Sequence, residues 1–224
     1  MTSSFQDDIR ENAMRQLFDL RKDETEGRSG IDAYLEFEGR LIPFELKTTS
    51  KGSVTTVRDF GLEHIKKWEG KHWLFGFFID GREYYKYGTP KMMQPWIERK
   101  SDYIRRDFML AEIAPSKLTL EEMYDLLGIK EIYTYEDARK IHKMQYKKSK
   151  YLELQDLEDG YSPHRMLEIV KNRARYLIQR GSTLNNPHIP FKYFSNWIEI
   201  TENHAVLLRE LVATYFREFN ESAS

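Results

Sequence analysis

Residues 29–49 read Ser29-Gly-Ile-Asp-Ala-Tyr-Leu-Glu-Phe-Glu-Gly-Arg-Leu-Ile-Pro-Phe-Glu-Leu-Lys-Thr-Thr49, with apolar and polar side chains alternating on either side of a glycine turn signal. Because the side chains of a strand point alternately to its two faces, this pattern predicts two strands, over 31–38 and 41–47. Each strand has an apolar face, made of Ile31, Ala33, Leu35 and Phe37 in the first and of Ile42, Phe44 and Leu46 in the second. Both faces must point to one core, since a slip of one residue would expose one of them.

Two antiparallel registers satisfy this condition, and they differ in the position of the turn. With a turn at Gly39-Arg40, Asp32 lies opposite Lys47. With a turn at Glu38-Gly39, it lies opposite Glu45. In either register the three charged side chains share the polar face, and directly opposed residues are roughly 5 Å apart at Cβ. The apolar pattern alone therefore gathers two carboxylates and an ammonium group into one small patch.

Such a patch favours the chemistry of phosphodiester hydrolysis. Two carboxylates a few ångströms apart repel each other unless a cation lies between them. Oxygen ligands suit Mg²⁺, which keeps several waters and commonly binds one or two carboxylates together with a phosphate. Such an ion polarises a phosphoryl oxygen and acidifies water, and a neighbouring lysine can position the water or stabilise developing charge. The alternative is an exposed cross-strand salt bridge, worth about 0–1 kcal/mol.

The spacing of these residues resembles the signature of the PD-(D/E)XK nuclease superfamily. Asp32 is followed, after twelve intervening residues, by Glu45-Leu46-Lys47, and Ile31 stands where the proline of the signature would be. The resemblance covers roughly residues 5–88, and the short chain with a helical second half is most similar to a type II restriction endonuclease. It implies Asp32, Glu45 and the backbone carbonyl of Leu46 as metal ligands, and Lys47 as the catalytic lysine. A helical glutamate often reaches the metal through water in this superfamily, which makes Glu11 a further candidate.

The surrounding sequence predicts the elements that would carry this site. Helical spacing over 5–22 gives a stripe of Phe5, Ile9, Ala13, Leu17 and Leu20, from which Glu11 points away. Further elements are predicted as a helix over 58–68, a buried central strand over 72–79, a strand over 82–87, and helices over 90–100, 119–127, 134–149, 163–180 and 201–219, with a long connection over 181–195. We therefore expect an α+β, restriction-endonuclease-like fold. A mixed β-sheet flanked by helices would form a catalytic core over 1–100, and residues 101–224 a mainly helical recognition and dimerisation region.

Composition narrows the class of protein. The 224 residues are 40% hydrophobic and 32% charged, which suits a folded chain with a sizeable core. The absence of cysteine excludes disulfides, thiolate metal sites and thiol catalysis. Apolar runs are too short to span a bilayer and no signal peptide is recognisable, so we expect a cytoplasmic protein without a membrane partner.

Candidate DNA contacts fall in two segments. The loop after the second strand offers hydroxyls and a lysine that suit phosphate oxygens, namely Thr48, Thr49, Ser50, Lys51, Ser53 and Thr55. Residues 139–150 hold six basic residues and no acid, within a longer basic region over 139–180, although such runs are often only solvated faces. The candidates for backbone binding in this region are Lys143, Lys147, Lys148, Arg173 and Arg175.

The resemblance implies a Mg²⁺-dependent endonuclease that cuts double-stranded DNA at a short, palindromic site and leaves 5′-phosphate ends. One or two Mg²⁺ ions would be bound per active site, and Mn²⁺ would substitute. A palindromic target predicts a homodimer, for which the helices near 119–127 and 201–219 are candidate faces. The alternatives are a structure-specific or repair nuclease of the same superfamily and a non-catalytic DNA-binding protein.

Overall fold

The computed structural model describes residues 3–23, 25 and 30–222, and the chain divides into two compact units. The first unit contains the residues up to Ser101 together with those from Leu184 onward. The second unit contains Asp102–Thr183. Among the described helices, none is long and apolar enough to cross a membrane.

The first unit is built on a mixed five-stranded sheet in the order β1-β2-β4-β5-β7. Its elements are α1 (Ser3–Leu17), β1 (Ala33–Phe37), β2 (Arg40–Thr49), β3 (Val54–Thr55), α2 (Leu62–Trp68), β4 (His72–Ile79), β5 (Arg82–Gly88), the first part of α3 (Pro90–Ser116), β6 (His188–Ile189), a 3-10 helix (Phe191–Phe194), β7 (Glu199–Ile200) and α8 (His204–Ser222). β2 and β4 are parallel and joined through α2, whereas the other neighbours in the sheet are antiparallel. The α+β class, the mixed sheet and the central position of 72–79 are thus confirmed.

The hairpin adopts the second of the two predicted registers. Ala33 pairs with Phe44, and the turn lies at Glu38-Gly39. Both turn residues have left-handed backbone, with φ of 49° and 72°, which is the conformation that a two-residue hairpin loop needs. Continued by one residue beyond β1, this register sets Asp32 opposite Glu45.

Both faces of the sheet are covered by side chains. On one face Leu35 and Leu46 are fully buried against Met14 and Phe18 of α1, and Leu208 of α8 belongs to the same core. The predicted common core of the two hairpin strands is therefore confirmed. The opposite face carries an aromatic layer whose buried members include Trp68, Trp73, Phe75, Phe77, Trp96 and Phe194.

The predicted apolar stripe of α1 is wrong at Ile9 and Leu17, whereas Leu20, which follows the helix, is buried as predicted. Ile9 and Leu17 are 53% and 38% exposed, whereas Met14 and Phe18 are fully buried. The side chain of Phe5 lies outside the described residues. The helix is rotated relative to the prediction because the hairpin core receives Met14 and Phe18. As a consequence Glu11, one turn before Met14, lies on the buried side of the helix.

The second unit is entirely helical in its described elements. It contains the end of α3, α4 (Leu120–Leu127), α5 (Tyr135–Ile141), α6 (Lys148–Glu153) and α7 (Pro163–Ser182). Capping boxes at Thr119 and Thr134 begin α4 and α5. The predicted single helix over 134–149 is in fact two, because the backbone at Lys143 and Met144 is left-handed and interrupts it. The core includes Met123, Tyr133, Tyr151, Tyr161 and Met166.

Residues 184–224 were expected in the helical region but return to the first unit. β7 adds to the edge of the main sheet beside β5, and β6 pairs with β3. Leu208 and Val212 of α8 are buried in the core below the hairpin. This face of α8 therefore packs within its own chain, and the homodimer stays a prediction.

Candidate functional site

Asp32 lies immediately before β1, at the end of the hairpin away from its turn. Its Oδ2 accepts a hydrogen bond from the backbone N–H of Leu46 at 3.0 Å. The guanidinium of Arg15 on α1 donates to the backbone carbonyl of Asp32 at 3.1 Å. Both the side chain and the main chain of this residue are therefore fixed beside β2.

Glu45 is a buried carboxylate that is paired with two lysines. Its Oε1 lies 2.9 Å from Nζ of Lys47, and its Oε2 lies 2.7 Å from Nζ of Lys71. The side chains of Glu45 and Lys71 are only 5% and 3% exposed. Trp73, the neighbour of Glu45 in the parallel pair, is fully buried. The carboxylate thus lies at the border of the aromatic layer, where an unpaired charge would be costly.

The ammonium group of Lys47 lies among three oxygen atoms. It is 2.8 Å from the carbonyl oxygen of Leu46, 2.9 Å from Oε1 of Glu45 and 3.5 Å from Oδ2 of Asp32. These oxygens belong to the three groups that the resemblance implies as metal ligands. The structure therefore brings the predicted ligands together, with a lysine ammonium between them.

The charges of this cluster act strongly on one another. Burial alone would raise the pKa of the Glu45 carboxyl, but the ammonium groups of Lys47 and Lys71 more than offset it and hold this pKa at about 2. Burial would lower the pKa of Lys47, but the carboxylates of Glu45 and Asp32 raise it well above its ordinary value. The site thus favours an ionised Glu45 carboxylate facing a charged Lys47.

Glu11 borders the same cluster from α1. Burial raises the pKa of its carboxyl to about 7. The ammonium of Lys47 opposes this rise, and the negative charge of Asp32 adds to it. A carboxyl with this pKa can accept or release a proton near neutral pH. Its role as an outer ligand stays a prediction.

The oxygen atoms of the cluster are donors of the kind that a divalent ion needs. Within the described ranges, no three His, Asp or Glu side chains form a group that could hold a metal. An ion at this site would therefore depend on Asp32, Glu45 and the carbonyl of Leu46, with water completing its coordination. Two carboxylates and a carbonyl are hard oxygen donors of the kind that Mg²⁺ and Mn²⁺ accept. The residues present thus fit such an ion.

The predicted DNA-contact residues in the loop after β2 differ in their exposure to solvent. Ser50, Lys51 and Thr55 are exposed, Thr48 and Ser53 are half-buried, and Thr49 is buried. The hydroxyl of Thr49 donates to the carbonyl of Ser53 at 2.8 Å and accepts from the N–H of Lys51 at 3.0 Å. Thr49 therefore shapes the turn, whereas the exposed residues around it stay candidates for DNA contact.

The basic candidates in the second unit differ in their surroundings. Lys143, Lys147 and Lys148 are exposed. Arg173 is half-buried and donates to Gln145 at 2.7 Å. Arg175 is paired with Glu112 at 3.2 Å. The two arginines therefore already have partners within the helical unit, and the lysines present the more accessible charge.

Two residues of the cluster carried no recognised signal in the sequence. Lys71 is the last residue before β4 and reaches Glu45 only because β2 and β4 are parallel neighbours. Arg15 reaches Asp32 because α1 packs with Met14 and Phe18 inward. Both depend on packing between elements that are distant in sequence, and the local pattern does not specify it.

Comparison with known proteins adds no further assignment. No protein-family model matches the chain, and the search of curated proteins finds no match. Membership of the PD-(D/E)XK superfamily therefore stays a prediction.

Proposed function

We propose that this protein is a Mg²⁺-dependent endonuclease that hydrolyses phosphodiester bonds in double-stranded DNA, similar to type II restriction endonucleases that cut at short palindromic sites. The supporting observation is the convergence of Asp32, Glu45 and the Leu46 carbonyl on one position beside Lys47. The cluster lies at the end of the β1-β2 hairpin that is away from its turn, at one side of the mixed sheet.

The residues of the cluster suit the steps of this reaction. A bound divalent ion supplies Lewis acidity toward a phosphoryl oxygen and lowers the pKa of water. Asp32 and Glu45 would hold such an ion, and the Lys47 ammonium would position the attacking water or stabilise negative charge on the phosphate. The water oxygen forms a bond to phosphorus opposite the 3′-oxygen as the bond from phosphorus to that oxygen breaks. One water proton ends on the 3′-hydroxyl, and the other strand end keeps the 5′-phosphate.

The proposal of duplex DNA as the substrate is supported by the exposed basic and polar side chains of two segments. Exposed lysines at 143, 147 and 148 carry positive charge on the helical unit. Ser50, Lys51 and Thr55 add exposed polar groups in the loop that follows the catalytic strand. A two-fold symmetric homodimer would cut both strands of a palindrome, with one cluster acting on each strand.

The test is digestion of a long sequenced duplex with Mg²⁺, in parallel with EDTA and with Lys47→Ala. Discrete bands that require Mg²⁺ and vanish with the variant are expected, and the sequences of their ends give the site. Glu36→Gln is the matched control, because Glu36 is an exposed carboxylate on β1 outside the cluster. Absence of cleavage of any DNA form with Mg²⁺ or Mn²⁺ would contradict the proposal. A ladder without sequence preference would instead favour a structure-specific or repair nuclease.

One observation favours a second candidate, a non-catalytic DNA-binding protein. Both oxygens of Glu45 are already paired with lysines, so the cluster can exist as an internal salt-bridge network. Buried ion pairs are, however, often no more stabilising than apolar side chains of similar size, so stability alone is a weak reason for the cluster. Metal-independent DNA affinity without cleavage would support this candidate.

A further inference from the structure

On the basis of the proposed function, we infer that Lys47 is the resident cation of the carboxylate pair, and that a divalent ion binds between Asp32 and Glu45 only by displacing its ammonium group. Metal loading and the placement of the catalytic lysine then become one event. The metal-free protein holds Lys47 against its own carboxylates, and metal entry releases it.

The contacts of the ammonium group carry this inference. Nζ of Lys47 lies within 3.5 Å of all three oxygens that would hold the ion, from Leu46, Glu45 and Asp32. Two cations cannot share these oxygens, because the ammonium group fills the space between them and like charges repel. The lysine therefore has to leave before the ion can use all three.

The other lysine of the cluster is placed differently. Lys71 binds Oε2 of Glu45, whereas Lys47 binds Oε1. Nζ of Lys47 contacts Oε1 of Glu45 together with the oxygens of Asp32 and Leu46, so Oε1 is the Glu45 oxygen that faces those two residues. Lys71 can therefore keep its ion pair while an ion replaces Lys47, and it leaves one oxygen of Glu45 for that ion.

The two side chains also differ in their freedom to move. Lys47 is 15% exposed, and its four-carbon chain can turn the ammonium group toward solvent or a bound phosphate. The side chain of Lys71 is only 3% exposed, so its ammonium group lacks comparable access to solvent. A displaced Lys47 is then available for the water or the phosphate, which is the role that the proposed reaction assigns to it.

The inference is tested by the affinity of the purified protein for Mn²⁺, measured by titration calorimetry without DNA. Lys47→Met keeps the aliphatic volume and removes the competing charge, so we expect it to bind Mn²⁺ at least about tenfold more tightly than the wild type. Lys71→Met is the matched control, since it removes the same charge from the other oxygen of Glu45 and should give a distinctly smaller gain. An equal gain in Mn²⁺ affinity for the two variants would mean that the total charge around Glu45, and not the position of the Lys47 ammonium group, controls binding, and it would overturn the inference. An unchanged or weaker affinity of Lys47→Met would also overturn it.

A measurement on the wild type tests the displacement of Lys47 even if a variant fails to fold. Lysine ammonium groups labelled with ¹⁵N are followed by NMR during a Mg²⁺ titration. We expect the Lys47 signal to shift or disappear as Mg²⁺ binds, while the Lys71 signal persists. Two unchanged signals at saturating Mg²⁺, or no binding of Mg²⁺ or Mn²⁺ at all, would overturn the inference.

The outcome is distinguishable from that of the proposed function. Tighter Mn²⁺ binding by Lys47→Met, without DNA cleavage by the wild type, would keep the inference and reject the nuclease. Cleavage by the wild type with no gain in affinity would keep the nuclease and reject displacement.

Discussion

The backbone N–H of Leu46 donates a hydrogen bond to Oδ2 of Asp32 at 3.0 Å. This bond ties a residue outside β1 to the middle of β2, so the position of one carboxylate is set by the strand that carries the other. Asp32 therefore has two separable properties, its hydrogen-bond acceptor and its negative charge, because an asparagine amide could accept the same bond without carrying the charge.

Asp32→Asn should therefore fold but lose activity. The amide oxygen can still accept the hydrogen bond from Leu46, while the negative charge that holds a divalent ion is gone. We expect the initial rate of DNA cleavage to fall at least about a hundredfold, and the thermal unfolding temperature to change little. Asp32→Ala removes the acceptor as well and should lower the free energy of unfolding by about 2 kcal/mol.

Glu36→Gln serves as the control for charge on β1. Glu36 is paired with Arg21 on the surface, away from the cluster, and its loss should leave cleavage unchanged. Full activity of Asp32→Asn in the same assay would mean that the charge of Asp32 is not needed for cleavage. A large drop in its stability would mean that the charge itself, and not only the acceptor, holds the hairpin end.

Lys71→Met should destabilise the first unit. Without Lys71 the buried carboxylate of Glu45 keeps only Lys47 as a counter-charge, and breaking a buried ion pair costs about 3 kcal/mol. Urea unfolding followed by tryptophan fluorescence measures the change. Arg21→Met breaks an exposed pair with Glu36 and should stay within about 0.5 kcal/mol of the wild type. If both variants lose equally little, Lys71 is not needed as a counter-charge.

The hairpin could be predicted from sequence because strand alternation leaves few choices. Once Ala33, Leu35, Phe44 and Leu46 are placed on one core face, the polar residues between them must share the other. The pattern did not choose between the two registers. That choice depends on the turn, where Glu38 adopts left-handed backbone together with Gly39.

Features that depend on packing between distant elements escaped prediction. The stripe predicted for α1 is misplaced because Ile9, Ala13 and Leu17 form an apolar row at helical spacing, yet Met14 and Phe18 are the residues buried in the core against the hairpin. The return of the chain from Leu184 onward to the first unit brings β7 to the edge of the main sheet, and the two residues of β7 give almost no periodic signal. The partner of a buried charge, such as Lys71 for Glu45, becomes visible only when the parallel register is known.

His72 should make stability depend on pH. Its ring is buried beside Phe44, and its Nδ1 lies 2.6 Å from the hydroxyl oxygen of Tyr87. Burial lowers the pKa of His72 from 6.5 to about 4, so the folded state favours the neutral ring. The resulting stability is fully present above pH 6.5, the unfolded value, and is lost as the pH falls from 6.5 toward 4. Between pH 7 and 5 the loss is about 2 kcal/mol.

The measurement compares the wild type with His72→Gln by urea unfolding at several pH values. Glu11 titrates in the same range with the opposite sign, because its raised pKa of about 7 stabilises the folded state as the pH falls below 7. It is present in both proteins, so its contribution cancels in the difference. The wild type should lose about 2 kcal/mol relative to His72→Gln between pH 7 and 5, while the exposed His164→Asn should follow the wild type. A constant difference across this range would mean that His72 is not held neutral by the fold.

Lys147 and Lys148 provide the last prediction, which concerns DNA affinity alone. Each lysine that contacts a phosphate releases about one counterion, so the double variant Lys147→Ala/Lys148→Ala should reduce the slope of log affinity against log salt by about 2. The assay is fluorescence anisotropy of a labelled duplex, with Asp32→Asn as the background so that no strand is cut. Arg105→Ala/Arg106→Ala removes two adjacent exposed bases outside the predicted surface and should leave the slope unchanged. An equal slope in all three proteins would mean that the phosphates are bound elsewhere, with the loop at 50–55 as the next surface to test.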